Sequence, residues 1–221
     1  MRRMVLIGGT ILALMISLIN GTPASATGFL GLPVPPPNDH IVIDVVTVNG
    51  SGCPAGTAAV AVSPDNTAFT VTYSQYLAQV GVGALPTDMR KNCQISLVVH
   101  VPQGFTYAIA QADYRGFAAL AAGASGVERA NYYFQGQSAT AFLSHTIGGG
   151  TVDDWQFTDT TDLAALIFHP CGALRNFNIN TELRVAAGTS DPKKTTSFVA
   201  MDSTDGSIST KYQFHWATCP R

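Results

Sequence analysis

The sequence predicts an all-β fold, a two-layer antiparallel β-sandwich with very little helix. Apolar residues recur at every second position through most of the chain, which is the period of a half-buried strand. Clusters of Gly, Pro, Asn and Asp separate these runs, as turns do. No segment keeps a 3.6-residue period over three helical turns. A jelly-roll-like arrangement is favoured, with an immunoglobulin-like topology as the alternative.

The first predicted strands lie close together in the sequence. Residues 41–48 form a β-branched run that ends at the Asn-Gly turn of residues 49–52. Residues 57–62 and 67–73 flank a Ser-Pro-Asp-Asn turn at residues 63–66. This spacing predicts a hairpin between the second and third strands.

The middle of the chain predicts two longer strands. Residues 93–101 alternate strictly, a Pro-Gln-Gly turn follows, and residues 105–114 form the next strand. Shorter candidate strands lie at residues 130–134, 140–145, 155–157 and 166–168. Short helical candidates lie at residues 74–80 and 118–122.

Two alternating segments complete the predicted sandwich. In residues 176–185 the apolar side chains occupy the odd positions and the polar side chains the even ones. In the last strand, Tyr212, Phe214 and Trp216 fall on one face. These odd and even sets predict which side of each strand contacts the core.

The N-terminal residues 1–26 have the features of a cleaved signal peptide. Arg2 and Arg3 precede an apolar run at residues 4–19, and Ala24-Ser25-Ala26 is a small-x-small cleavage pattern. A membrane anchor is the alternative, but a spanning helix needs about 20 apolar residues. We therefore expect a secreted, extracellular protein with no membrane span after cleavage.

Two further segments follow the predicted signal peptide. Residues 27–39 hold four of the chain's prolines and predict an extended linker without packed structure. Residues 40–221 are expected to form a single β-sandwich domain. Its length suits one hydrophobic core.

The cysteines predict a covalent framework. All four follow the predicted cleavage site: Cys53, Cys93, Cys171 and Cys219. An even number in an exported chain indicates two disulfides, and four cysteines allow three pairings. Pairing Cys53 with Cys93 and Cys171 with Cys219 is favoured because each bond then joins segments close in sequence. A metal site is disfavoured, since no C-x-x-C spacing is present.

The charge composition excludes some partners. Charged residues make up 12% of the chain, and the formal net charge is −2. Loss of Arg2 and Arg3 with the signal peptide leaves 10 basic and 14 acidic residues, a net charge of −4. This balance gives no basic surface for nucleic acid or for anionic membrane. The sequence leaves the oligomeric state open.

Several stretches, in order, resemble a known family. They are GSGCPAG at residues 50–56, KNCQISLVVHVPQGFTYAI at 91–109, ADYRGFAAL at 112–120, LRNFNINTELRV at 174–185 and MDSTDGSISTKYQFHWATC at 201–219. Together they resemble domain-of-unknown-function family 4360, whose members are secreted proteins of bacteria and filamentous fungi. The resemblance implies export and two disulfides. It implies no activity and no catalytic residues.

The most unusual candidate site is a ladder of polar residues. Asn176, Asn178, Asn180 and Glu182 occupy alternate positions, so they line one face of a strand. Neutral amides both donate and accept hydrogen bonds, which suits sugar hydroxyls. Four aromatic residues are candidates for stacking against a sugar: Tyr132, Tyr133, Trp155 and Trp216. An ordinary solvated strand face is the alternative.

Two charged pairs are further candidates. Asp113 and Arg115 lie two residues apart on one predicted strand, either as a ligand clamp or as a partly buried structural bridge. Asp154 beside Trp155 places an acid next to an aromatic ring, a pairing common at sugar sites, although a capped turn is the simpler interpretation.

Motifs for catalysis and for metals are weak. G-x-S-x-G and H-E-x-x-H are absent, and no catalytic residue or metal ligand is assigned. Asp202 and Asp205 lie in an acidic turn of a kind that calcium favours, but the EF-hand spacing is not met and a β-turn is the default. No other cofactor is expected.

These features favour a secreted, non-catalytic β-sandwich that binds at or outside the cell surface, with glycan or cell wall as the candidate partner. One alternative is a secreted hydrolase or lyase that acts on polysaccharide. Another is a toxin-like protein that antagonises competitors. Two carboxylates about 5–10 Å apart in a cleft would favour the enzyme. A flat polar sheet face with an exposed aromatic would favour binding.

Overall fold

Two antiparallel β-sheets pack face to face, which confirms the predicted all-β sandwich. The structure is a computed structural model that describes residues 32–138, 140, 142–201 and 209–220. Within these residues the strands are β1 (Val42–Asn49), β2 (Ala58–Val62), β3 (Ala68–Tyr73), β4 (Leu77–Gly81), β5 (Arg90–His100), β6 (Phe105–Ala119), β7 (Ser125–Phe134), β8 (Leu143–Gly148), β9 (Val152–Thr160), β10 (Phe177–Ala186), β11 (Thr196–Ala200) and β12 (Thr210–Thr218). Short 3-10 helices span Pro86–Met89 and Leu163–Ala165.

The strand order brings together segments that are far apart in sequence. The five-stranded sheet has the order β1-β5-β10-β7-β8. The seven-stranded sheet has the order β2-β3-β12-β6-β11-β4, and β9 pairs with β6. With 15 residues, β6 is long enough to pair with β12, β11 and β9. The chain crosses repeatedly from one sheet to the other, for example between β5 and β6, between β6 and β7 and between β8 and β9.

The core lies between the sheets and is rich in aromatic side chains. Phe69 stacks on Tyr212 with ring centroids 4.9 Å apart. The predicted alternation of the last strand is confirmed, because Tyr212 and Trp216 are buried and Phe214 packs against the core. The three rings share the inner side because they occupy alternate positions of β12, and the register shift between Gln213 and Phe214 leaves Ala110 of β6 without a partner residue on β12.

Three short elements differ from the sequence-based predictions. Residues 74–80 contain the start of β4, residues 118–122 contain the end of β6, and residues 166–168 form no strand. Strand pairing overrides local helix preference at the end of β6, because β9 and β11 supply its backbone partners.

At Gly116 an added Cβ would lie 2.2 Å from the Trp155 ring, so glycine permits the close approach of this indole.

Two disulfides tie the sandwich together, with the favoured pairing. Cys53 bonds to Cys93 at the start of β5, and Cys171 bonds to Cys219 just after β12. No free cysteine occurs in the chain, since these bonds use all four. The second bond fixes the end of the last strand to the loop before β10.

The described part of the proline-rich segment packs on the domain, unlike the free arm predicted. The Val34 N–H donates to the Trp216 carbonyl over 3.0 Å. The buried Asn66 side chain donates through Nδ2 to the carbonyls of Pro37 at 2.9 Å and Asp39 at 2.8 Å. Proline has no backbone N–H to donate, but its carbonyl still accepts hydrogen bonds, and the side-chain amide of Asn66 donates to that of Pro37.

Some expectations lie outside the described residues. These are the signal peptide at residues 1–26, the start of the linker at residues 27–31, and the acidic turn with Asp202 and Asp205. In the part of the chain that the structure describes, no helix is long and apolar enough to cross a membrane.

Candidate binding face

The outer side of the five-stranded sheet carries a continuous polar surface built by β5, β10 and β7. Successive side chains of a β-strand point to opposite faces, so every second residue of each strand points away from the core. We call this surface the polar face and define it as the even-numbered residues 90–96 and 176–184 with the odd-numbered residues 129–133. The predicted ladder of Asn176, Asn178 and Asn180 is its central row. From residue 176 to residue 184 the row is roughly 26 Å long at about 3.3 Å per residue.

Hydrogen bonds between strands hold the amides of the polar face in place. Asn176 Nδ2 donates to Ser96 Oγ over 2.9 Å, and Asn180 Nδ2 donates to Asn131 Oδ1 over 3.1 Å. Asn131 in turn donates to the Thr140 carbonyl. A carboxamide has two donor hydrogens and two acceptor positions, so each bond uses part of its capacity. Asn176, Asn180 and Asn131 are therefore oriented and retain groups for a ligand.

Tyr133 supplies the aromatic surface of the polar face. It lies directly opposite Asn178 in the β7–β10 register and is half-buried. The other three stacking candidates do not point to the polar face. Tyr132 and Trp155 pack against the core, and Trp216 is buried with its indole N–H donating to the Asn66 carbonyl. Strand alternation separates Tyr132 from Tyr133, but the sequence alone did not say which one points outward.

Glu182 lies at one end of the polar face and binds three arginines. Arg90 Nε donates to Oε2 over 2.5 Å, and Arg129 Nε donates to Oε1 over 2.9 Å. Arg184 Nε also donates to Oε1. We call Arg90, Arg129 and Arg184 the arginine cluster. The cluster is not evident from the sequence because its members come from β5, β7 and β10, and only cross-strand register brings them together.

The electrostatics of this cluster favour an ionised glutamate. Burial raises the pKa of the Glu182 carboxyl, but hydrogen bonds from Arg184, Arg90 and Arg129 outweigh burial and hold its pKa below the ordinary value. Three guanidinium groups against one carboxylate leave a local net charge of +2. Arg129 also lies 4.5 Å above the exposed Phe142 ring, a cation–π contact.

A groove borders the arginine cluster where β5 and β7 begin and β10 ends. Its volume is about 450 Å³. Arg90 and Arg184 contribute charged groups to its lining, and Met89, Val127 and Val185 contribute apolar groups. This volume lies within the range of small-molecule sites, about 300–1,000 Å³.

Asp113 and Arg115 lie on the opposite side of the molecule, on the outer face of the seven-stranded sheet. The Asp113 carboxylate accepts hydrogen bonds from Gln111, from Gln213 at 3.0 Å and from Thr158 at 2.7 Å. Burial raises the pKa of Asp113, and these bonds together with Arg115 outweigh it, so the pKa is lowered. The exposed Arg115 acts on Asp113 through its charge, without a salt bridge between the two.

The structure separates Asp154 from Trp155. Both lie on β9, where neighbouring residues point to opposite faces. Asp154 is exposed on the outer face, whereas Trp155 is only 7% exposed and packs beside Phe157 in the core. An acid and an aromatic ring that adjoin in sequence therefore do not form one surface here.

A second polar cluster lies inside the sandwich. Glu128 on β7 is 0% exposed, and neither of its carboxylate oxygens has a hydrogen-bond partner in the described part of the chain. His145 lies directly opposite it on β8, and His145 Nε2 is 2.7 Å from Asp159 Oδ1. Burial, and then the charge of Asp159, raise the pKa of Glu128 well above its ordinary value. Both causes favour the protonated, uncharged form of Glu128 in the core.

Within the described residues, no group of three His, Cys, Asp or Glu side chains is arranged to hold a metal ion. The calcium expectation at Asp202 and Asp205 concerns residues outside that part of the chain.

Similarity to solved structures is weak. The enzymatically active domain of the bacteriophage CBA120 tailspike protein 4 gives a TM-score of 0.25 at 13% identity. The match covers 78% of this chain but 19% of the tailspike chain, so this chain spans under a fifth of that protein. The family 11 carbohydrate-binding module from Clostridium thermocellum, solved with a β-1,3-1,4-mixed-linked tetrasaccharide, gives a TM-score of 0.22 at 8% identity. That match covers 78% of this chain and 88% of the module.

Sequence similarity is much stronger. An uncharacterized secreted protein of Arthroderma benhamiae is 34% identical over 184 residues, which cover 83% of this chain and 74% of the fungal protein. Residues 39–219 match the family described as Domain of unknown function (DUF4360). The resemblance stated from the sequence is therefore confirmed: this chain is a secreted protein that belongs to the DUF4360 family.

Proposed function

We propose that this protein is a non-catalytic extracellular glycan-binding protein, and that a polysaccharide lies along the polar face. One observation carries the proposal. Neutral amides and a hydroxyl on the outer side of this sheet share one surface with Tyr133, and side-chain bonds to neighbouring strands hold Asn176 and Asn180 in place. Amide groups match sugar hydroxyls as both donors and acceptors.

The pairing of Tyr133 with Asn178 gives this surface two complementary functions. Directly opposite side chains on antiparallel strands have Cβ atoms about 4.5–5.5 Å apart. One sugar ring is then able to rest on the tyrosine while its hydroxyl groups bond to the asparagine. A tyrosine ring offers a rigid apolar plane at low cost in side-chain entropy.

The polar face as defined carries a single carboxyl group, that of Glu182, which supports a non-catalytic function for this surface. Retaining and inverting glycosidases require a pair of carboxyl groups that contact the substrate. Glu128 is enclosed in the core, and Glu182 is bonded by three arginines. Neither carboxyl group is presented to a bound polymer as a free acid or base.

The test is binding to a panel of insoluble and soluble cell-wall polysaccharides by pull-down and isothermal titration. Asn178→Ala should weaken binding at least tenfold, because it removes the amide at the centre of the polar face, directly opposite Tyr133. Its melting temperature should stay within about 2 °C of wild type, since Asn178 is not buried. Gln156→Ala is the matched control, an exposed amide on the opposite sheet, and should bind like wild type.

A second variant pair separates stacking from hydrogen bonding. Tyr133→Phe keeps the ring and should retain most of the affinity, whereas Tyr133→Ala should lose it. No binding by the wild type to any polysaccharide in the panel would contradict the proposal. Equal loss in Gln156→Ala and Asn178→Ala would also contradict it, because the site would then not be the polar face.

A further inference from the structure

The arginine cluster is the most concentrated positive charge that the described residues show, and it lies on the polar face of a chain with net negative charge. The side chain of Glu182 is 4% exposed, whereas those of Arg90, Arg129 and Arg184 are 56%, 27% and 47% exposed. The acid is thus buried beneath the bases. A ligand approaching this end of the polar face meets guanidinium groups.

The hydrogen bonds to Glu182 use only part of each guanidinium. Arg129 and Arg184 engage Glu182 through Nε, and each guanidinium has five N–H donors. One carboxylate has about four lone-pair positions, so it cannot satisfy three guanidinium groups. The remaining donors lie on partly exposed side chains that Glu182 holds in a fixed arrangement.

The groove provides the space for a ligand at these donors. Arg90 and Arg184 line its volume of about 450 Å³ together with Met89, Val127 and Val185. A site lined by both charged and apolar residues suits a sugar ring that carries an anionic substituent. The planar fork of arginine binds carboxylate, sulfate or phosphate oxygens in pairs, which the point charge of lysine does not.

We infer that the arginine cluster binds the anionic groups of an acidic polysaccharide, with Glu182 as the positioning residue for its guanidinium groups. This inference rests on the proposed glycan binding and names its substrate class. The shared chemistry is an oxyanion on a sugar, either a uronate carboxylate or a sulfate ester.

The experiment compares matched polymers by isothermal titration. Polygalacturonate, its methyl ester, dextran sulfate and neutral dextran are titrated into the wild-type protein at low and at high salt. We expect at least tenfold tighter binding to one charged polymer than to its neutral counterpart, with affinity that falls as salt rises. The charged polymer that binds identifies carboxylate or sulfate as the recognised group.

The variants locate the site. The double variant Arg90→Gln with Arg184→Gln should lose the preference for the charged polymer. The control double variant, Arg115→Gln with Lys211→Gln, removes the same amount of charge from the other sheet and should retain that preference. The first double variant leaves Glu182 short of partners, which is costly for a buried charge. A third variant therefore adds Glu182→Gln, and melting curves establish that the domains compared are folded.

Each outcome decides between the two proposals. Equal affinity for charged and neutral polymers would overturn this inference and leave glycan binding standing. If the control variant of Arg115 and Lys211 also lost the preference for the charged polymer, the effect would be one of overall charge. That result would overturn the assignment of binding to the arginine cluster. Equally tight binding of single-stranded DNA would overturn the assignment to polysaccharide. Absence of binding to any polymer would contradict both proposals.

Discussion

Tyr133 and Asn178 lie directly opposite each other on β7 and β10, and both side chains point away from the core. Their neighbours on the same strands, Phe134 and Phe177, point inward and pack with ring centroids 5.2 Å apart. One pair of strands thus contributes an aromatic core on one side and a polar binding surface on the other. The rigidity of the core fixes the positions of the groups on the surface.

Glu182 should stabilise the fold in a pH-dependent manner. Its pKa in the folded protein is below the ordinary value of 4.5, so its contribution is present above about pH 4.5 and is lost as pH falls through the folded-state pKa. Glu182→Gln should therefore lose about 2 kcal/mol of unfolding free energy at pH 7, the scale of a charge-assisted hydrogen bond, and much less at pH 3. Urea unfolding at both values measures this, and an equal loss at both would contradict it.

Glu128 should have the opposite pH dependence. Because its folded-state pKa is raised well above 4.5, the folded protein keeps a proton that the unfolded chain releases, and stability falls as pH rises above 4.5. Glu128→Gln has a similar shape and cannot ionise. The variant should melt several degrees higher than wild type at pH 8 and close to wild type at pH 4. A difference between the two proteins that stays constant from pH 4 to pH 8 would exclude this account.

Asn66 should anchor the proline-rich segment. Its Oδ1 accepts the Ile41 N–H over 3.1 Å, its Nδ2 donates to two carbonyls of that segment, and its φ of 56° is left-handed. Asn66→Gly keeps access to this backbone conformation but loses all three side-chain bonds, at a cost of about 3 kcal/mol. Limited proteolysis should then cleave near residues 33–40 faster than in wild type. Unchanged cleavage would show that other contacts hold the segment.

The disulfides should contribute similar amounts of stability. The closed loops have sequence separations of 40 and 48 residues, and the chain-entropy estimate gives about 4 kcal/mol for each. Replacing Cys171 and Cys219 by Ala should also speed hydrogen exchange at the end of β12, because that bond fixes it. Urea unfolding of the two double-alanine variants tests the first expectation. A loss below 1 kcal/mol for either would contradict it.

Features governed by local spacing were predictable from the sequence. Alternation in residues 176–185 predicts that Asn178 and Asn180 share a face, because a strand has a period of two whatever its neighbours are. The disulfide pairing followed from separation along the chain. The family resemblance depended on ordered stretches of sequence.

Features governed by cross-strand register were not predictable. Arg129 is 53 residues from Glu182, and their contact depends on the pairing of β7 with β10. The burial of Glu128 was not predicted because the predicted strand began at residue 130, whereas β7 begins at Ser125. Asp154 and Trp155 suggested one site because they adjoin in sequence, although neighbouring strand residues point in opposite directions.

The central claim is that polysaccharide binds along the polar face, and NMR mapping tests it most directly. Cellohexaose, chitohexaose and an oligogalacturonate are titrated into the ¹⁵N-labelled mature protein. The account predicts that at least one of them shifts the amide signals of Asn178, Asn180 and Tyr133, while the outward residues of β9 remain unchanged. Saturable shifts confined to β9 and the neighbouring part of β6, or none with any oligosaccharide, would contradict it.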